Sequence, residues 1–155
     1  MSIERVRDYF KKFGIEDRVL EFPVSSATVE LAAKALGCEP DRIAKSLSFM
    51  INGEPAVIVT SGEARIDNHK FKECFHTKAK MLTRDEVSSL IGHEVGGVCP
   101  FAVNAGVKVF LDNSLKKYDT VFPACGSSNS AIELGIDELE KYSKADGWVD
   151  VTKIL

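Results

Sequence analysis

Apolar residues recur at helical spacing from the start of the chain. Ile3, Val6, Phe10 and Phe13 share one face, Arg5, Lys11 and Lys12 are left for water, and Gly14 supplies a stop. This predicts an amphipathic helix packed on the rest of the protein. An extended run over residues 18–22 ends at Pro23. Ser25 and Ser26 offer capping hydroxyls to a second helix over 27–36, closed by Gly37, and Pro40 begins a short helical turn. Residues 45–51 and 56–60 are β-rich and are joined through Asn52–Gly53, the dipeptide favoured where both turn residues need positive φ. They predict a hairpin, and Pro55 suggests that its second strand, 56–60, begins only after the turn.

Downstream, residues 67–75 have helical character, with Phe71 and Phe75 four apart. Thr83 can cap a helix over 84–91, with Glu86 completing a capping box, and Gly92 ends it. The stretch GHEVGGVCPF, 92–101, must be a loop, because its three glycines and one proline suit neither helix nor ladder. Strands are predicted at 107–111, 121–122 and 131–134. Ile136, Leu139 and Tyr142 mark a short helix, and 148–155 a closing strand. Helices and strands are interspersed without regular alternation, which favours a mixed α+β domain over a doubly wound parallel sheet.

Composition narrows the class. A chain of 155 residues, 45% apolar and 28% charged, fits one domain, 1–155, able to bury a core unaided. The N-terminal segment mixes charge with apolar residues, unlike a signal peptide, and no apolar run approaches a bilayer span. Cys38, Cys74, Cys99 and Cys125 are scattered, which reads as reduced thiols of a cytoplasmic protein. A net charge of −3 argues against broad binding to DNA or RNA, which neutralises many phosphates, but leaves room for contact with one RNA end.

Three segments are candidates for chemistry. Gly96, Gly97, Val98, Cys99 and Pro100 form a loop whose backbone N–H groups can approach an ester carbonyl or a phosphate. A tight connector is the commoner reason for such a pattern. Lys45 stands at the head of an apolar strand, where it can pair with one phosphate or simply face solvent. Ser127, Ser128, Asn129 and Ser130 can line a polar pocket or satisfy an ordinary turn. His69, Cys74 and His76, and His93 with Cys99, match no zinc signature. Cys99 with His93 as base is a conceivable nucleophile, although a small buried cysteine is the better default. Neither a Walker loop nor a GxGxxG after a strand is present, so nothing supports a nucleotide cofactor.

Taken together, DRIAKSLSF around Lys45, the loop GHEVGGVCPF, and VFPACGSSNSAIEL followed by DEL resemble the YbaK/prolyl-tRNA synthetase-associated editing domain family. The order and spacing match over nearly the whole chain. The resemblance implies a compact α+β fold around a mixed, partly barrel-like sheet with flanking helices. It also implies hydrolysis of mischarged tRNA-Pro carrying cysteine or alanine. A chain too short to contain a synthetase would be the free-standing, trans-editing form.

On this resemblance Lys45 holds the phosphate or terminal ribose of the tRNA 3′ end, and the amides of Gly96 to Pro100 orient the ester carbonyl. Ser127–Ser130 takes the place of a polar segment in which relatives often carry a histidine or an acidic residue. This chain has Ser128, Asn129 and Ala131 there, a departure that bears on which amino acid is removed. Relatives often carry serine at Cys99, so the implied mechanism is substrate-assisted and free of metal and cofactor, the attacking group being water, the neighbouring ribose hydroxyl or a cysteine substrate's thiol. The amino-acid pocket is expected near Phe22, Phe49, Val59 and Thr60. Delivery by a prolyl-tRNA synthetase or an elongation factor would compensate for weak binding by an acidic protein. The alternatives are a non-catalytic aminoacyl- or nucleotide-binding module of the same fold, and a thiol- or zinc-dependent enzyme using Cys99 and the histidines.

Overall fold

The computed structural model describes residues 2–154. In chain order its elements are α1 (Ser2–Lys11), β1 (Leu20–Glu21), α2 (Val29–Leu36), β2 (Ile43–Ile51), β3 (Glu54–Ser61), β4 (Ala64–Ile66) and α3 (Asn68–Phe75). There follow α4 (Arg84–Glu86), running on into a π turn (Val87–Ile91), then β5 (Lys108–Asp112), β6 (Thr120–Pro123), β7 (Ser130–Ala131), β8 (Leu134–Gly135), α5 (Ile136–Ser143), β9 (Gly147–Val149) and β10 (Thr152–Ile154). This is the expected α+β architecture: a curled six-stranded mixed sheet, order β8-β6-β2-β3-β5-β9, flanked by helices, with β1-β7 and β4-β10 as separate pairs.

The hairpin β2–β3 is the spine. Asn52 (φ 51°) and Gly53 (φ 83°) both take the left-handed conformation that a tight hairpin turn demands. Pairing runs from Ile51↔Glu54 to Ala44↔Ser61, so β3 begins before Pro55 rather than after it. Met50 explains why. Its N–H turns away to the Lys80 carbonyl (2.9 Å), so Pro55 sits opposite a residue that needs no donor from it.

Side chains of β3 alternate between two cores. Val57 and Val59 face Val6 and Phe10 of α1, Ile91, Phe101, Leu115 and Leu139, whereas Ile58 faces Phe49, Phe71, Val149 and Val151. Both faces of the strand are therefore buried.

Local capping matches the pattern at several points. Thr83 and Glu86 form the expected capping box, Asp67 caps α3 by accepting from the amides of His69 and Lys70, and Gly92 (φ 94°) ends the π turn. Four expectations need correction. The second helix starts at Thr28, whose hydroxyl accepts from the Leu31 amide, and not at Ser25 or Ser26. Those serines are held elsewhere: Ser26 N–H donates to the Ser128 carbonyl (2.7 Å) and Phe22 N–H to the Asn129 carbonyl (2.8 Å). The helix at 84–91 is α for only three residues before widening, while the Asn104 amide group donates to the Ser89 and Leu90 carbonyls. The strand at 131–134 is two separate pieces, β7 and β8.

The strand at 148–155 also divides, and its last residue lies outside the described residues. β9 runs parallel to β5, and β10 leaves to pair with β4. Asp112 makes the corner. Fully buried, its carboxylate accepts from the Val151 amide (2.9 Å), the Thr152 hydroxyl (2.7 Å) and the Ser114 amide (2.9 Å). Asp112→Ala leaves these donors without an acceptor in a site closed to water. We expect a loss of about 3 kcal/mol, read as a lower urea midpoint with an unchanged slope.

Candidate functional site

A strand in mid-sheet needs main-chain partners on both edges. β2 has β3 along one edge from Ala44 to Ile51. On the other edge, β6 covers only Ile43 and Ala44. The segment 80–82 covers the far end, where Met50 N–H donates to Lys80 and Ser48 C=O accepts from Leu82 (3.0 Å). Peptide groups alternate in direction along a strand, so the same edge carries the N–H and C=O of Ser46. Between the two covers lies a cleft of about 320 Å³.

Its walls are largely apolar. Val29 and Ala32 of α2, Ile43, Phe122, Ala124 and Ala131 form one side, and Leu82, Val87, Val95 and Val98 the other. Met81, exposed, and Arg84 stand at the margin. The Ser46 hydroxyl is shielded from water and has no hydrogen-bond partner among the described residues. This part of the site was missed from sequence, although a signal existed: Ser46 and Ser48 share a strand face with Ala44, where a closed core would carry apolar residues.

Lys45 lines this cleft and is half-buried. Its ammonium donates to the carbonyls of Gly62 (3.2 Å) and Ala64 (2.5 Å), at the turn between β3 and β4. An ammonium has three N–H donors, so this cage leaves one for a ligand. Burial lowers its pKa from the ordinary lysine value, with Arg65 adding to the shift and Glu30 and Asp41 opposing it.

The loop from Gly96 to Pro100 divides its residues. Gly96 (φ 91°) and Val98 line the cleft, and Gly97 N–H is committed to the Glu94 carbonyl (3.0 Å). Gly97 also presses against the backbone opposite: a Cβ there would lie 2.7 Å from Gly126 C and Ser127 N. Only glycine permits that approach. Pro100 is buried and brings no donor.

Cys99 faces inward, fully buried, and does not line the cleft. Burial pushes its thiol up to about 12. Its Sγ lies 3.5 Å from His93 Nε2, but that nitrogen donates its hydrogen to the Phe101 carbonyl (2.7 Å). A protonated ring nitrogen cannot accept the thiol proton, and the basic Nδ1 is buried without a partner. The Cys99–His93 arrangement therefore lacks the geometry of an activated nucleophile. Among the described residues, no three His, Cys, Asp or Glu side chains gather as a metal site.

The remaining candidates separate. Ser130 lines the cleft, whereas Ser127, Ser128 and Asn129 do not. Ser127 Oγ donates to Ser130 Oγ (2.7 Å), and Asn129 Nδ2 donates to the Phe22 carbonyl (3.0 Å). Phe22, Phe49, Val59 and Thr60 do not line the cleft. Phe49 packs on Phe71 against α3, Val59 joins the core under α1, and the buried Thr60 hydroxyl donates to the Ser61 carbonyl (3.0 Å). Strand alternation sends Phe49 and Val59 into the cores, and the open edge is what remains for a ligand.

Residues 24–142 match the model of the aminoacyl-tRNA editing domain family. The chain is 51% identical over 154 residues to "Uncharacterized protein YwhH" of Bacillus subtilis (strain 168), covering 99% of this chain and 98% of that protein. It is 33% identical over 104 residues to the proline–tRNA ligase of Halalkalibacterium halodurans, covering 66% of this chain but only 18% of the ligase. A crystal structure named "putative trans-editing enzyme for prolyl tRNA synthetase" superposes with a TM-score of 0.87 at 29% identity, over 98% of this chain and 97% of that one.

The four thiols make the inert character of Cys99 measurable. Cys74 is exposed, Cys38 is half-buried, and burial raises the pKa of both; Cys99 and Cys125 are closed off. Iodoacetamide at pH 8 should label Cys74 first and Cys38 more slowly, as followed by peptide mass mapping. Cys99 and Cys125 should react only after unfolding. Early labelling of Cys99 would contradict its placement.

Proposed function

The chain belongs to the aminoacyl-tRNA editing domain family, and from that premise we propose that it is a deacylase acting in trans on mischarged tRNA-Pro, with cysteine or alanine as the amino acid removed. The observation that carries this reading is the cleft itself. A small apolar cavity, a free strand edge at Ser46 and one spare Lys45 N–H sit together, matching the side chain, the ester and the ribose or phosphate of an aminoacyl-tRNA end.

Lys45 holds the terminal ribose or phosphate. The side chain of the amino acid enters between Val29, Ala32, Ile43 and Phe122, while Gly96, Val98 and the Ser46 edge orient the ester. The group that adds comes from the substrate side: water directed by the neighbouring ribose hydroxyl, or the thiol of a cysteinyl ester. The hydroxyl attacking alone would only move the acyl group between ribose oxygens, and the thiol departs as a thiolactone that water then opens. Addition to the carbonyl carbon and cleavage of the acyl–oxygen bond return a proton to the departing ribose oxygen. The protein contributes position and oxyanion stabilisation, which suffices for an ester that is already activated.

Selectivity among small side chains is then a matter of cleft volume, worth about 1–3 kcal/mol per methylene. The tRNA end is the ligand, and a prolyl-tRNA synthetase or elongation factor presents it. The resemblance to a trans-editing structure over nearly its full length supports this assignment.

Deacylation of Cys-, Ala-, Ser- and Pro-tRNA-Pro tests the proposal directly. We expect one mischarged species to be hydrolysed selectively, with Lys45→Ala reducing the rate about 100-fold. Cys99→Ser and prior dialysis against a chelator should leave most activity in place. Absence of turnover by folded protein would favour the binding-module reading, and loss of activity in a folded Cys99→Ser variant would refute substrate assistance.

A further inference from the structure

Asp41 lies just before β2, only 7% exposed, and nothing in the catalytic reading above uses it. Its main-chain carbonyl accepts from the Gly62 amide (3.2 Å), and its Oδ1 accepts from the Glu63 amide (3.0 Å). Oδ2 receives the Lys117 ammonium (2.5 Å) and the Tyr118 hydroxyl (2.9 Å), which hold the carboxylate in place. Burial alone would raise the Asp41 pKa, but these donors outweigh it and hold the group as a carboxylate below its usual range.

The geometry of one peptide unit connects this carboxylate to the cleft. Glu63 N–H and Gly62 C=O belong to the same planar trans peptide, so they point in opposite directions. One edge of that plane is held by Asp41 Oδ1, and the other accepts the Lys45 ammonium. The plane cannot rotate without breaking both bonds. Hydrogen bonding at the N–H also polarises the carbonyl and strengthens its hold on the ammonium.

Gly62 is required for the arrangement. A Cβ at that position would lie 2.0 Å from the Pro40 carbonyl oxygen and 2.9 Å from Val29 Cγ1. The turn is therefore pulled directly against the residue preceding Asp41. We propose that Asp41, acting through the Gly62–Glu63 peptide, is a positioning residue for Lys45, fixing the direction in which the one free ammonium N–H meets the substrate. This rests on the assignment of Lys45 as a substrate-holding group, but the cage itself can be tested without turnover.

Two measurements separate the claims. In the wild type, the Lys45 ammonium should give a protected signal in 1H–15N spectra. In Asp41→Ala its hydrogen exchange should accelerate at least about tenfold, with Asp41→Asn, which retains an acceptor for Glu63, intermediate. Gly62→Ala should behave like Asp41→Ala, and circular dichroism confirms folding of each. In deacylation, Asp41→Ala should lower kcat/KM roughly 10- to 100-fold, yet cost nothing further in a Lys45→Ala background. A merely structural carboxylate would give additive losses.

Unchanged Lys45 exchange in folded Asp41→Ala, or additive losses in the double mutant, overturns the proposal. If Asp41→Ala does not fold, Asp41→Asn and Gly62→Ala carry the same comparison. If the wild type hydrolyses no ester, the spectra still decide whether the relay exists, and the functional assignment alone fails.

Discussion

One unfilled stretch of sheet edge organises this molecule. β2 is paired with β3 from Ala44 to Ile51, but its opposite edge is capped only at the two ends, by β6 and by residues 80–82. An interrupted edge normally exposes main-chain groups to any strand that arrives. Here α2 and the loop after the π turn stand as walls around the gap, and the opening becomes a cleft rather than a docking edge. The walls are largely apolar, while the Ser46 hydroxyl has no hydrogen-bond partner among the described residues and the Ser46 peptide groups face the gap. A ligand that brings both an apolar group and polar atoms satisfies both at once.

Two glycines hold the walls at their separation. Gly97 lets the loop before Cys99 touch the backbone of Gly126 and Ser127, and Gly62 lets the β3–β4 turn touch Pro40. Each contact is backbone on backbone, which yields far less than a flexible side chain would. One fixes the loop side of the cleft and the other fixes the cage of Lys45. The two contacts involve separate segments of the chain, and a backbone held this way resists rearrangement when a ligand arrives.

Much of this was legible from local chemistry. Asn52–Gly53, the Thr83–Glu86 capping box and the apolar face of α1 act within a few residues of themselves, so the sequence displays them directly. Lys45, Gly96, Val98 and Ser130, from three separate segments of the chain, line one cleft. What escaped was set by distant partners. The corner between β9 and β10 depends on Asp112, some forty residues earlier in the chain, and the late start of α2 depends on Ser128 and Asn129. Phe49 and Thr60 lie in strands that pass the cleft but do not line it. Knowing the strand without knowing which edge is open leaves that choice undetermined.

Beside this open edge the described residues bring together no activated thiol and no cluster of metal ligands. His93 and Cys99 form a closed arrangement in which His93 Nε2 serves the Phe101 carbonyl and burial keeps Cys99 protonated. Together they brace the loop that carries Gly96 and Val98. Making Cys99 a thiolate would place an uncompensated charge in an apolar core, at a cost larger than a loop of this kind can sustain. His93 and Cys99 thus serve the structure of the loop behind the cleft wall rather than the cleft itself. A ligand that needs alignment rather than activation is served by such a wall without any reactive side chain from it.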